Sequence, residues 1–182
     1  MPIKGERVVM NKKNNHFIKG ALFTVILILI DQVTKYLAQV FLAGKNGVMV
    51  ISGVLQLFYL ENCGAAFGML ENRQIIFILI AVAMICAAVY IYCRIPADAH
   101  YHFLRILCVM ITAGAAGNML DRLMHNYVID FIYFSLIDFP VFNVADCYVC
   151  IGAALTVLAV FTVYKDDDFA FLVPAKKKQE DI

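Results

Sequence analysis

The chain has 182 residues, of which 63% are hydrophobic and only 16% charged, with a mean hydropathy of +0.79, whereas an ordinary soluble domain carries about 25% charged residues. Such a composition excludes a soluble globule and marks an integral membrane protein. The formal net charge of +1, with basic residues dispersed rather than gathered into a stripe with interleaved aromatics, argues against nucleic acid as a partner.

No period of about 20 to 50 residues repeats along the chain, so a single membrane domain is expected over residues 1–182. Crossing a hydrocarbon core takes about 20 residues of helix. The first stretch that meets this, residues 21–43, follows a tail carrying Lys4, Arg7, Lys12, Lys13 and Lys19. A basic tail before an apolar run resembles a signal peptide. Here the run exceeds a normal h-region and contains Asp31 and Lys35, so it reads as an uncleaved first span. Asp31 and Lys35 stand four apart, acid first, the favourable order for a pair on one helix face. They read either as a self-neutralising ion pair or as part of a polar site, and both readings turn a polar stripe toward protein rather than lipid.

A loop over residues 44–73 follows, part of which, VMVISGVLQLFYL, reads as short strands. Residues 74–93 make a second span, and a short turn bounded by Arg94 and Arg105 leads into a third, residues 103–120. The third span runs out into AGAAGNMLDR, residues 113–122. Its small residues allow close approach of another helix or a substrate backbone, which helix packing alone commonly explains. The polar cluster after them, Asn118, Asp121 and Arg122, is the stronger signal. Arg122 offers a rigid set of donors suited to a carboxylate or a backbone carbonyl, its plainer role being an interfacial anchor. A second loop, residues 123–143, is aromatic-rich and ends in a proline turn at Pro140. The segment PVFNVAD, with Asn143 and Asp146, opens the fourth span at residues 144–164.

Both tails, with Lys165 and the lysines at 176–178 in the second, and the Arg94–Arg105 turn concentrate Lys and Arg on one side, while only Lys45, Arg73 and Arg122 lie near the other two loops. The positive-inside rule therefore places both tails in the cytoplasm and the two longer loops outside. The expected fold is an all-α membrane bundle of four transmembrane helices with a small extracytoplasmic β-rich element.

Asp31, Asp130 and Asp146 all lie at or just inside the ends of apolar segments, toward the outer face, where an ionisable group is costly and usually functional. Asp130 is a lone carboxylate in VIDFI, and Asp146 comes from a different segment at the same boundary. Two such carboxylates in a poorly solvated site can share one proton, one activating a water while the other protonates a carbonyl or leaving group. Residue reading alone does not choose Asp130 over Asp121. Asp138, beside Pro140, reads as a solvated turn residue. The six cysteines supply an alternative: Cys147 and Cys150 form a CxxC, and with Cys63 in a loop they suggest a four-helix thiol oxidoreductase. At i, i+3 in a helix such cysteines also read as small buried apolar residues, as do Cys86, Cys93 and Cys108. A metal site is not expected, because His100 and His102 sit in the turn while His16 and His125 are isolated. A non-catalytic scaffold accounts for the hydrophobicity but not for polar blocks gathered at one boundary.

The blocks DQVTKYL, ENCGAAFG, GAAGNMLDRL, VIDFI and FNVAD occur in the order and approximate spacing of the lipoprotein signal peptidases, or signal peptidase II. The resemblance extends from about Phe17 to Tyr164. It implies a bacterial cytoplasmic-membrane endopeptidase that cuts diacylglyceryl-modified prolipoproteins on the N-terminal side of the lipidated cysteine, as a monomer without cofactor or metal. The family's catalytic dyad maps onto Asp130 and Asp146, and its supporting polar residues onto Asp31, Lys35, Asn62, Asn118, Asp121, Arg122 and Asn143. Departures are small-for-small: Cys63 stands for a frequent Thr, Ala115 and its neighbours for part of a GGALGN-like run, and Cys147 for a common Ser.

Overall fold

Four helices in a computed structural model account for the apolar stretches: α1 (Lys4–Leu42), α2 (Gln74–Arg94), α3 (His102–His125) and α4 (Val144–Thr162). The structure describes residues 4–64 and 73–172, with side chains from residue 14 onward. The side chains of Lys4, Arg7, Lys12 and Lys13, residues 65–68 of the ENCGAAFG block and the lysines at 176–178 lie outside it.

Each helix ends where its sequence dictates. Ile95 precedes Pro96, which disfavours the helical region, and it closes α2 with an extended ψ of 127°. Asn126, left-handed at φ 65°, closes α3. At the start of α4 the Asn143 side chain accepts from the Asp146 N–H while Asp146 accepts from the Asn143 N–H, a reciprocal capping box. Two helices run beyond the stretches marked by hydropathy: α1 begins well before residue 21, at Lys4, and α3 continues to His125.

α3 is the central helix. Half of its spanning window is buried, against 11% for α1 and α2 and 17% for α4, and it packs on all three. The others turn large apolar side chains outward, with Phe161 82% and Ile75 74% exposed, an inversion that suits lipid and not water. α3 and α4 approach closely because Gly114 and Gly117 carry no side chain. A Cβ on Gly114 would strike the Ala145 carbonyl, and one on Gly117 would lie 2.6 Å from Asp31 Oδ2.

At one end of the bundle sits an antiparallel sheet of β1 (Val48–Ile51), β2 (Leu55–Asn62) and β3 (Val128–Phe134), in that order. The first two strands come from the loop read as strand-like. β3 does not; sequence reading left VIDFIYF in an aromatic-rich loop, although its β-branched and aromatic residues fit a half-buried ladder. β3 pairs with β2 in a register that sets Asp130 opposite Leu60 and Val128 opposite Asn62. Past Pro140 the chain doubles back, and the Phe142 carbonyl accepts from the Phe131 and Ile132 N–H groups. That return delivers Asn143 beside Asp130. Ala38 and Leu42 of α1 pack with Phe131 beneath the sheet. The opposite end of the bundle carries the α2–α3 turn, where Ile95, Leu104, Cys108, Ala159 and Tyr164 cluster.

Candidate active site

A layer of polar side chains lies between the sheet and the helices. Its deepest member is the Lys35 ammonium, which reaches Asp31 Oδ2 and Asp121 Oδ2, both at 2.9 Å, and donates to Asn118 Oδ1 at 2.9 Å. An ammonium has three donors, and all are used. Asp31, Lys35 and Asp121 are each at most 1% exposed. Two buried carboxylates around one cation would be costly without further donors. Those are present: the Ala145 N–H donates to Asp31 Oδ1 at 2.8 Å, the Ile129 N–H to Asp121 Oδ2 at 3.2 Å, and Gln32 Nε2 to Asp121 Oδ1 at 2.9 Å. The Asp31–Lys35 pair thus faces protein, as its spacing suggests. Gln32 and the Ala145 N–H escaped the sequence reading, although a Gln inside an apolar run is itself a signal of a buried polar contact.

Asn118 passes this arrangement outward. Its carbonyl accepts from Lys35 and, at 3.1 Å, from Asn143 Nδ2, which orients its amide to donate to Asp146 Oδ1 at 2.7 Å. Asn143 Nδ2 also donates to Asp130 Oδ1 at 2.6 Å, while the Asn143 N–H donates to Asp146 Oδ2 at 3.0 Å. On the far side, Asn62 at the end of β2 donates to Asp130 Oδ2 at 2.7 Å. Asp130 and Asp146 are therefore joined through asparagine amides rather than through cations.

Asp130 and Asp121 differ in their neighbours. Asp121 holds a lysine, whereas Asp130 is 2% exposed and, among the described residues, accepts hydrogen bonds from the two amides alone. Burial, and secondarily the charge of Asp146, push the Asp130 carboxyl up to about 7; the hydrogen bonds from Asn62 and Asn143 oppose this without cancelling it.

Asp130 and Asp146 line one cavity of about 370 Å³ with Asn62, Asn118, Arg122 and the apolar walls Phe77, Val128, Phe139 and Phe142. Arg122 lies over the Phe77 ring, 4.6 Å from its centroid, and donates at long range to the Gly64 and Asn118 carbonyls, at 3.3 and 3.4 Å. Its Nε is buried with no partner among the described residues. A guanidinium so placed has donors to spare for a backbone carbonyl in the cavity.

Asp138 stands apart from the layer, exposed in a left-handed turn and accepting from Tyr133 at 2.7 Å. All six cysteines are free; Cys147 is half-buried and Cys150 exposed. Cys86 and Cys93 are exposed as well, against the expectation of burial, because they lie on outward faces of α2. An apolar face turned to lipid reads the same in sequence as one turned to protein. Nor is His16 isolated, since its ring packs edge-on against His102 with centroids 5.5 Å apart. Likewise His125 stacks on Tyr127. Among the described residues no three His, Cys, Asp or Glu side chains group as a metal site.

Comparison with known proteins finds matches that cover most of the chain. A family model described as signal peptidase (SPase) II matches residues 23–162. A lipoprotein signal peptidase of Caldanaerobacter subterraneus subsp. tengcongensis is 41% identical over 130 residues, covering 71% of this chain and 86% of that relative. One from Symbiobacterium thermophilum is 38% identical over 141 residues, covering 76% and 91%. Among solved structures, a bacterial membrane enzyme determined by the in meso method at 2.3 Å resolution is 29% identical with a TM-score of 0.71, covering 90% of this chain and 94% of that one. Family model, relatives and fold agree, and the chain belongs to the signal peptidase II family.

Proposed function

We propose that this membrane peptidase removes signal peptides from diacylglyceryl-modified prolipoproteins as an aspartic endopeptidase, with Asp130 and Asp146 as its dyad. The observation that carries this reading is that these two carboxylates, delivered by β3 and by the first turn of α4, line one cavity and, among the described residues, are hydrogen-bonded by amides rather than held by a cation. Asp130, held up to about 7, keeps the shared proton near neutrality. Asp146, at the N-terminus of α4, is oriented by N–H donors on both oxygens. In the reaction Asp146 takes a proton from water, the water oxygen attacks the scissile carbonyl carbon, and Asp130 protonates the carbonyl oxygen. Collapse of the tetrahedral intermediate breaks the C–N bond, and the leaving amine takes up a proton from the dyad.

The remaining polar residues act as supports. Asp31, Lys35 and Asp121 fix Asn118, and Asn118 and Asn143 fix the dyad. Asn62 and Arg122 face the cavity and hold the substrate backbone. By the distribution of Lys and Arg the sheet end lies outside the bacterial cytoplasmic membrane and both tails inside. The scissile bond is then the one on the N-terminal side of the lipidated cysteine, with the acyl chains in the bilayer and the peptide in the cavity. Lipid positions that bond more than it adds affinity, because the chains already reside in membrane before binding.

The test combines variants with paired substrates. Asp130→Asn and Asp146→Asn should each abolish cleavage in a folded protein, whereas folded Asp121→Asn should retain measurable turnover. Near-normal cleavage by either dyad variant removes that residue from the dyad. Equal kcat/KM for diacylglyceryl-modified and unmodified forms of one prolipoprotein would overturn the lipid-specific assignment.

A further inference from the structure

The end of the bundle opposite the sheet carries a second site, unconnected with the peptidase chemistry. Between α1 and α3 a cavity of about 400 Å³ has His16, Lys19, His102 and Arg105 at its mouth and Gly20, Tyr92 and Val109 on its walls. Gly20, Tyr92 and Val109 also line an adjoining cavity of about 290 Å³ that is otherwise apolar and runs toward Thr24 and Thr112. The two form one groove, cationic at one end and apolar along its length.

Its shape is built rather than incidental. Tyr92 donates to the His16 carbonyl at 2.6 Å and lies against α1 where Gly20 leaves room, since a Cβ there would strike the tyrosine hydroxyl. The His16 and His102 rings pack together across the mouth. Beneath them Arg105 is only 6% exposed. Its guanidinium donates to the Asp98 and Pro96 carbonyls, which orients it but does not neutralise it. The carboxylate of Asp98 accepts from the His100 N–H at 2.7 Å and acts on Arg105 through space without forming an ion pair. Among the described residues no carboxylate forms an ion pair with Arg105 or Lys19. A buried charge normally has a counter-charge. Lys19 and His102 immediately precede the apolar stretches that begin near residues 21 and 103, the depth of lipid headgroups.

We propose that this groove binds an anionic glycerophospholipid of the adjoining leaflet. The phosphate sits among Lys19, His102 and Arg105, and one acyl chain lies along Gly20, Thr24 and Val109. Charge complementarity selects the headgroup, and the apolar continuation selects a lipid over a free anion.

The full-length protein, delipidated in a neutral detergent, is titrated separately with dioleoylphosphatidylglycerol, dioleoylphosphatidylcholine and inorganic phosphate. Retained lipid is counted by native mass spectrometry and the unfolding midpoint is followed in parallel. The wild type should retain phosphatidylglycerol at least fivefold over phosphatidylcholine, with a raised midpoint, and phosphate alone should leave the midpoint unmoved. Arg105 braces the α2–α3 turn, so its loss risks the fold. The test variant is therefore Lys19→Gln with His102→Gln, which should fold, cleave substrate as before and lose at least threefold of the phosphatidylglycerol preference. Equal retention of the two lipids, an unaltered preference in the folded variant, or a midpoint shift with phosphate alone would each overturn the proposal.

Discussion

Replacing Asp130 by Asn should stabilise the fold in alkaline solution while removing activity. The Asp130 carboxyl is pushed up to about 7 in the fold, against about 3.9 in an unfolded chain. Between those values the unfolded chain releases a proton that the fold keeps. Stability therefore falls as pH rises from about 4 to about 7 and is flat beyond. At about 1.4 kcal/mol per pH unit, the carboxyl costs about 2 kcal/mol at pH 5 and about 4 kcal/mol at pH 8. A neutral amide escapes that cost. It also meets two amide donors, Asn143 Nδ2 at 2.6 Å and Asn62 Nδ2 at 2.7 Å, and its single carbonyl cannot serve both positions. The lost hydrogen bond costs about 1 kcal/mol at either pH. The variant should thus gain little at pH 5 and about 3 kcal/mol at pH 8. For a chain of this length the growth of about 2 kcal/mol is on the order of 5 °C in the unfolding midpoint. The assay is thermal unfolding of wild type and Asp130→Asn in one detergent, followed by circular dichroism at the two pH values. A midpoint difference that stays constant between them would refute the assignment of Asp130 as a buried, uncompensated carboxyl.

Lys35→Met would leave Asp31 and Asp121 buried without a cation, a loss of about 3–5 kcal/mol to be read as a lowered midpoint; an unchanged midpoint would show that the triad contributes nothing. Gly117→Ala places a methyl 2.6 Å from Asp31 Oδ2 and 3.3 Å from Ala145 Cβ, so it should cost about 1–3 kcal/mol by forcing α3 chiefly from α1 and also from α4. Thermal midpoints of Gly117→Ala and wild type measure this, and equal values would contradict the close packing. A variant with Cys63, Cys147 and Cys150 all changed to Ala should keep most of its activity, because all three thiols are free and the proposed attacking group is a water. Inactivity of that variant in folded form would contradict the mechanism.

The sequence conveys the polar side of α1 directly, because Asp31 and Lys35 at i, i+4 share a helix face whatever surrounds them. The choice between Asp121 and Asp130 is not written locally. It depends on the reach of Lys35 from α1 across to α3, which occupies Asp121, and on the β2–β3 register, which among the described residues leaves Asp130 with amide partners. β3 was hidden for a related reason: seven residues from Val128 to Phe134 become a strand only once β2 supplies a ladder. The outward placement of Cys86 and Cys93 is invisible in composition, since a bilayer removes the contrast between core and surface that marks burial in water.

The capping box that opens α4 has a consequence for how the protein is made. α4 is the last of the four helices to emerge from the ribosome, and with it come Asn143, the Ala145 N–H and Asp146. A nascent chain with three spans inserted already contains Asp130, yet it lacks the second carboxylate and the amide that joins the pair. Docking of the last helix against Gly114 and Gly117 supplies all of these at once. The paired carboxylates are thus a product of completed insertion, and on the proposed mechanism a chain stalled before its fourth span holds no assembled centre with which to cut its neighbours.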